Sequence, residues 1–297
     1  MPEYSEVKIV AEQMAKKILG CKLLKMETDG NSTYDKFNMK GSSKIKYPMI
    51  CKQVYSKGKK IIMVFERCVM ATTGSTGSST VSTVTESTGT TSYFVSSLAM
   101  NGKWFFHKEG EHSNLWFTFE SPENPNETFN MWFNDTRHFG KLEYYDNEED
   151  LKKRMKVVGP NLIEDKITFD QWKAKLSNKR IKGMQIAHFF LSQNYFSGVG
   201  NYMKSEILYR AKIKPDRCLS TLSNEDMMAL FNETIAVMKE SYDYGGLTIK
   251  SYVSPSGERG NYQCKVYGKK KDPLGNPVLY SKFKDRGMTY WVSEVQK

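Results

Sequence analysis

The sequence predicts an α+β protein of more than one domain: an N-terminal helix with an antiparallel β-sandwich, then a helical domain, then a small C-terminal β-hairpin. Three observations predict it. An apolar periodicity of helical spacing opens the chain. Short β-branched and aromatic runs, separated by turn residues, follow as far as about residue 150. From about residue 160, apolar segments with helix start and stop signals take over. The 297 residues suffice for one large domain or two ordinary ones. Charged residues at 26% and aromatics at 13% describe a globular chain. A formal net charge of +11 points to a polyanionic partner, most often nucleic acid.

Residues 5–19, SEVKIVAEQMAKKIL, read as the first helix, with Val7, Val10, Met14 and Ile18 on one face and Gly20 as its stop. The strand candidates are CKLLKMET, YPMICKQVYS, KKIIMVFE, SYFVSSLAM, KWFFHKE, SNLWFTFE, TFNMWFND and KLEYYD. Their spacing suggests an antiparallel sandwich or barrel within residues 1–150. Residues 72–92, TTGSTGSSTVSTVTESTGTTS, hold only Ser, Thr and Gly apart from Val81, Val84 and Glu86. That composition cannot bury a core, so a flexible surface insertion between two strands is expected. Residues 151–248 are expected to form the helical domain. Thr168-Phe169-Asp170-Gln171 is a capping-box sequence. QIAHFFLSQNYF reads as an apolar helix, YMKSEILYRAKI as another ended by Pro215, and NEDMMALFNETIAVMKESYDYG as a third, begun at Ser223 and ended by Gly245-Gly246. Residues 249–297 return to strand and turn.

The five cysteines, Cys21, Cys51, Cys68, Cys218 and Cys264, include no C-x-x-C pair. Neither a disulfide framework nor a cysteine zinc site is suggested, and a reducing, intracellular location fits. No basic segment followed by an apolar run opens the chain, so no signal peptide is expected. No stretch approaches the roughly 18–20 apolar residues of a membrane span.

Gly198-Val199-Gly200-Asn201 lies between two apolar helices. Its glycines permit a tight turn and close backbone approach. Asn201 is a good N-cap type for a helix beginning at Tyr202, and the exposed backbone N–H groups there would form an anion site suited to a DNA phosphate. The wider stretch LSQNYFSGVGNYMKSEILYRAKIKP resembles the helix–two-turns–helix signature of the formamidopyrimidine-DNA glycosylase/endonuclease VIII family of DNA repair enzymes. Other places match in order. Pro2-Glu3 with Glu6 resembles the family's P-E-x-x-E start; SKGKKIIMVFE resembles its lysine-bearing strand, with Lys59 at the lysine position; NDTRHFG resembles its D-x-R-x-F-G hairpin; and DRGMTY carries the arginine of its finger, Arg286.

The finger departs from most of the family, which binds zinc through four cysteines. VYGKKKDPLGNPVLYSKFKDRGMTYWVSEVQK has neither cysteine nor histidine, and Val292 and Val295 stand at the last two ligand positions, with Leu274 and Gly275 near the first. A zincless finger is expected, held by strand pairing and by Val278, Tyr280, Tyr290 and Trp291. The resemblance implies a reaction needing no cofactor and no metal.

It also gives the first residues a purpose. Removal of Met1 would leave Pro2 with a free secondary amine, whose pKa of roughly 8 leaves a useful unprotonated fraction at neutral pH. Attack on the sugar C1′ gives an iminium, an electron sink that permits strand scission. The resemblance implies that Glu3 transfers protons, that Lys59 and Asn201 clamp phosphates beside the Gly198/Gly200 turn, and that Arg286 grips another phosphate in a fork. Glu6 is expected to order the first turn, and the resemblance suggests that Met100, Arg137 and Phe139 fill the space left by the everted base. The implied partner is damaged DNA, acted on by a monomer. The short segment KSYVSPSGERGN stands where purine-preferring relatives carry a longer lesion-capping loop, which tilts the expectation to oxidised pyrimidines, hydantoins and abasic sites over 8-oxoguanine. Two rival readings are a non-catalytic damaged-DNA binder on this fold and a metal-dependent nuclease. No clustered-carboxylate motif supports the second.

Overall fold

The computed structural model describes residues 2–30, 39–73, 82–125, 127–248, 252–284 and 287–297, with the side chains of 70–73 and 82–87 left out. Helix α1 (Tyr4–Ile18) buries Val7, Val10, Ala11, Met14 and Ile18 along one stripe and ends at Gly20, whose φ of 79° suits glycine. Nine strands follow: β1 (Lys22–Thr28), β2 (Met39–Lys40), β3 (Met49–Lys57), β4 (Lys60–Thr73), β5 (Ser82–Ser97), β6 (Lys103–Phe105), β7 (Ser113–Glu120), β8 (Thr128–Asn134) and β9 (Lys141–Tyr145). They form one continuous sheet in the order β2-β9-β5-β4-β3-β1-β7-β8-β6. Among the described residues every pairing in this sheet is antiparallel except the short β2–β9 contact. The sheet folds over on itself. Phe65 of β4 meets Phe119 of β7 at 6.4 Å between centroids, and Phe94 of β5 meets Phe117 of β7 at 5.0 Å. The expected sandwich is thus two faces of one sheet, with the stripe of α1 completing the same core.

The Ser/Thr-rich stretch differs from its expectation. Pairing of β4 with β5 continues out to Thr73↔Ser82, so residues 72–73 and 82–92 belong to a paired ribbon rather than to a flexible insertion. Residues 74–81 of that stretch lie outside the described residues. The reason is physical: a ribbon satisfies its backbone groups across the pair and needs no buried core, and Thr and Val favour the extended backbone. A register shift between Glu66 and Cys68 marks where the ribbon leaves the sandwich, and the Thr88 hydroxyl donates to the Arg67 carbonyl there at 3.0 Å.

Helix α2 (Glu148–Met155) escaped the sequence reading because only Leu151 and Met155 of its eight residues are apolar; both pack on Ile62, Tyr93, Val95 and Tyr145. Helix α3 (Phe169–Leu176) starts at the expected Thr168/Gln171 capping box. Helix α4 (Ile186–Leu191) is shorter than its apolar run, stopping at Ser192. Helices α5 (Asn201–Arg210) and α6 (Asn224–Asp243) complete a core around Trp172, Phe189, Met203 and Leu230. Strands β10 (Leu279–Lys282) and β11 (Met288–Trp291) form the terminal hairpin. The chain is therefore α+β, as its sequence predicts. Besides the passage from α2 to α3, two further crossings join the cores. Tyr4 packs in the helical core while Val7, one turn on, packs in the sandwich; Tyr252 packs in the sandwich while Tyr262 packs with the helices.

Candidate active site

The first turn of the chain runs into the helical domain. The Tyr4 N–H donates to the Gly198 carbonyl at 3.0 Å, and the Glu3 N–H donates to Glu6 Oε2 at 2.8 Å. The Glu3 carboxylate is buried against the start of α5. Its Oε2 accepts from Gly200 N–H at 2.6 Å and Met203 N–H at 3.3 Å, and its Oε1 from Tyr202 N–H at 2.9 Å. This corrects two expectations. Asn201 is the first residue of α5 rather than its cap, and Gly200, which has no side chain to cap with, takes the cap position. The anion filling the helix start is the carboxylate of Glu3, not a phosphate, because that donor cluster is already saturated from within the chain.

Gly200 is required by close approach. A Cβ there would collide with the Glu3 carboxyl carbon, its Oε1 and the Lys59 Nζ. The same collision places the Lys59 amine beside Glu3. Lys59 itself stands in the two-residue turn between β3 and β4 rather than within a strand, after Gly58 with φ 62°. Gly198, with φ 109°, closes on Asn161 and Tyr4. The loop between α4 and α5 is pinned by Gln193, whose Oε1 accepts from Gly198 N–H at 3.0 Å and whose Nε2 donates to the Val199 carbonyl at 2.8 Å. The sequence reading passed over Gln193, since a polar residue in a loop carries no local signal of what it binds.

Burial dominates the electrostatics. It raises the Glu3 carboxyl to about 7, against the opposing pull of Lys59 and of the Tyr202 and Gly200 N–H groups. It lowers the Lys59 amine below its ordinary value, against the attraction of Glu3 and Glu6. Both groups are pushed toward neutrality while each charge supports the other, an arrangement suited to moving a proton near neutral pH. Glu6 lies behind Glu3. Its Oε1 accepts from the Tyr202 hydroxyl at 2.9 Å and from Leu247 N–H at 2.8 Å.

Pro2, Glu3, Glu6, Lys59, Gly198, Gly200 and Asn201 are brought together. Asn201 faces the finger: a Cβ on Gly287 would lie 2.8 Å from Asn201 Oδ1, and among the described residues that buried oxygen has no hydrogen-bond partner. Arg286 lies outside the described residues. Met100 and Phe139 are 43% and 58% exposed, and Arg137 is exposed beside Phe139. Their two loops are joined by Asn101 Nδ2 donating to Thr136 Oγ1 at 3.3 Å. Ala99 and His138, each next to a protruding apolar residue, hold φ of 48° and 55°.

Among the described residues, the finger offers no group of metal-ligating side chains, and apolar residues stand where the family's ligands would fall. Val292 is buried with Val266 and Tyr209, and Val278, Tyr290 and Val295 pack against them. Two polar knots hold the turns instead. Asp272 accepts from Leu274 N–H at 2.9 Å and Asn276 N–H at 2.8 Å, and from the Tyr209 hydroxyl at 3.1 Å. Gln296 accepts from Val292 N–H at 2.8 Å and donates to the Ile213 carbonyl at 2.9 Å. Glu206, buried in α5, gathers the N–H groups of Lys265, Val266 and Tyr267 at 2.7, 2.9 and 2.8 Å and so anchors the finger to the helical domain.

With this geometry in place, likeness to known proteins becomes informative. Residues 1–142, 158–253 and 258–297 match, in order, the N-terminal, H2TH and C-terminal domain models of formamidopyrimidine-DNA glycosylase. The formamidopyrimidine-DNA glycosylase of Listeria innocua is 31% identical over 213 residues, which span 68% of this chain and 74% of that protein. The chain belongs to the formamidopyrimidine-DNA glycosylase family. The enzyme of that name from an Exiguobacterium strain is 29% identical over 211 residues, with the same coverage of 68% and 74%. In fold, the formamidopyrimidine-DNA glycosylase of Thermus thermophilus superposes with a TM-score of 0.79 at 21% identity, over 99% of this chain and 98% of that one. The Lactococcus lactis protein, solved with DNA containing an oxidised pyrimidine, superposes with a TM-score of 0.78 at 22% identity over the full length of both. As a formamidopyrimidine-DNA glycosylase family member, this protein is a DNA glycosylase of oxidised-base repair.

Proposed function

We propose that the protein removes oxidised bases from DNA by covalent catalysis at Pro2 and then cuts the strand at the resulting abasic site. The observation that carries this reading is the Glu3 carboxyl, buried immediately after Pro2 and raised to about 7, with the Lys59 amine beside it. With Met1 removed, the Pro2 nitrogen attacks C1′ of the damaged nucleotide. The N–C1′ bond forms as the C1′–base bond breaks, and the departing base takes up a proton. Glu3 then gives a proton to the sugar ring oxygen O4′ as the C1′–O4′ bond breaks, which leaves C1′ joined to Pro2 as an iminium; a carboxyl near neutrality both gives and regains such a proton. The iminium acidifies the C2′ proton; its loss expels the 3′ phosphate, and a second elimination expels the 5′ phosphate. Lys59 and Asn201 clamp the phosphates flanking the lesion, Arg286 grips another, and Met100, Arg137 and Phe139 enter the vacated stack.

Oxidised pyrimidines and hydantoins are favoured over 8-oxoguanine. The described part of the segment after α6 is tied down. Tyr252 is buried in the sandwich core, and Ser256 donates to Gln13 of α1 through its N–H at 3.2 Å. Damaged DNA is the partner, bound by a monomer of strongly basic charge.

The rival nucleophile is Lys59, because burial also lowers the proton affinity of its amine. Borohydride reduction on a lesion-bearing duplex decides between them. The expected adduct maps to the N-terminal peptide at Pro2, and Pro2→Gly abolishes it. An adduct on Lys59 overturns the proline assignment. Tight lesion binding with neither adduct nor released base supports a non-catalytic damage binder instead.

A further inference from the structure

The first-turn carboxylate Glu6 is held by a chain of hydroxyls that reaches it from two helices of the other domain. Tyr202 of α5 is fully buried and touches both carboxylates of the site: its N–H donates to Glu3 Oε1 at 2.9 Å and its hydroxyl donates to Glu6 Oε1 at 2.9 Å. Ser241 of α6, also fully buried, lies 2.7 Å from the Tyr202 hydroxyl. With the tyrosine proton committed to Glu6, Ser241 must supply its own proton to the tyrosine oxygen, which fixes the direction of the chain: Ser241 to Tyr202 to Glu6. The far oxygen of Glu6 accepts the N–H of Glu3 at 2.8 Å, the peptide nitrogen bonded to the Pro2 carbonyl carbon. Gly246, with φ 94°, brings the backbone against Glu6 from the exit of α6, where a Cβ would lie 3.1 Å from its Oε1.

We infer that Tyr202 and Ser241 are positioning residues for the Pro2 amine: they aim the plane of the Pro2–Glu3 peptide, and with it the pyrrolidine ring, at the sugar. Neither side chain meets the substrate; each acts through Glu6. This inference rests on the reading of Pro2 as nucleophile. The sequence offers no sign of the chain, because Tyr202 and Ser241 stand 39 residues apart on two different helices. Their pairing follows from packing of α5 on α6 beside the first turn of α1.

The test is single-turnover borohydride trapping on abasic-site DNA by the full chain, with DNA affinity and thermal unfolding measured alongside. Tyr202→Phe keeps the ring and removes one hydroxyl. It is expected to lower the rate of adduct formation at saturating DNA about tenfold, as befits loss of one hydrogen bond to a charged group, with half-saturating DNA changed less than about twofold. Ser241→Ala is expected to act in the same direction by about threefold, and the double variant to fall no lower than Tyr202→Phe, since the two hydroxyls act in series. Should Tyr202→Phe fold poorly, Ser241→Ala carries the same comparison, because it deletes a single buried atom. Wild-type trapping rates in both variants, or rates that fall only in step with DNA affinity and melting temperature, overturn the relay while leaving Pro2 as nucleophile. Absence of any proline adduct in the wild-type protein overturns both.

Discussion

At the scale of single residues, Glu3 has the strongest coupling between structure and pH. Its carboxyl titrates near 4.5 in the unfolded chain and is raised to about 7 in the folded one. A raised folded value means that the native state binds the proton more tightly. The associated stability is fully present below about 4.5 and is lost as pH rises through 7. A shift of that size corresponds to roughly 3 kcal/mol. Glu3→Gln cannot ionise, so urea unfolding at pH 5 and pH 7.5 should differ less in the variant than in wild type, and base excision should vanish while DNA is still bound. An equal pH difference in both proteins would show that Glu3 titrates without perturbation. Much of this site was legible in the sequence: Pro2, Glu3, Lys59, Gly198, Gly200 and Asn201 converge as their motifs suggested. What was not legible is the identity of the anion at the start of α5. A glycine-rich helix start asks for negative charge, but only the tertiary fold, with Tyr4 N–H on the Gly198 carbonyl, reveals that the charge is the chain's own.

At the scale of elements, strands with alternating or aromatic runs were read correctly; the two-residue strand β2 was passed over, α4 is shorter than its apolar run, and two larger elements departed from their expectation. Helix α2 has too few apolar residues for a visible period. The β4–β5 ribbon has the composition of a disordered tract, yet its register is defined, with Val69↔Glu86, Met70↔Thr85 and Thr73↔Ser82 as partners. Composition reports whether a segment can bury a core, not whether it can pair with itself. The register dictates how the ribbon must be cut. Removing residues 70–85 and joining Val69 to Glu86 through Asn-Gly trims both strands equally and keeps every remaining pair, so melting temperature and excision should stay near wild type. Removing 74–91 instead takes Ser87 and Thr91 from opposite Cys68 and Glu66 and leaves one strand unpaired. That deletion should lower the melting temperature by several degrees and raise aggregation. Identical melting curves for the two deletions would show that the ribbon contributes nothing as a pair.

At the scale of the whole molecule, the candidate site is built from both halves of the chain, and α1 is the strut that joins them. Its first turn packs in the helical core through Tyr4 and its remaining turns pack in the sandwich core from Val7 onward. The segment 252–262 crosses back in the other direction through Tyr252 and Tyr262. Domains joined by a loose linker would unfold separately and would tolerate relative motion. Here, separation would pull Glu3 away from the α5 N–H groups and Tyr4 from Gly198. The expectation is one calorimetric transition, with equal calorimetric and van't Hoff enthalpies. Tyr4→Ala tests the strut directly. It removes a buried aromatic, at a cost of about 3–5 kcal/mol, and also the Tyr4 hydroxyl bond to Glu164 at 3.0 Å. If the two cores are one cooperative unit, near-ultraviolet circular dichroism and the fluorescence of Trp104, in the sandwich, and Trp172, in the helices, should lose their native signals at the same lowered temperature. Proline trapping should fall further than Tyr4's distance from the sugar alone would suggest, because the turn bearing Pro2 and Glu3 is no longer anchored. Melting of the Trp172 core alone, with the Trp104 core unchanged, would mean that the halves fold independently and that the site is assembled only when DNA brings them together.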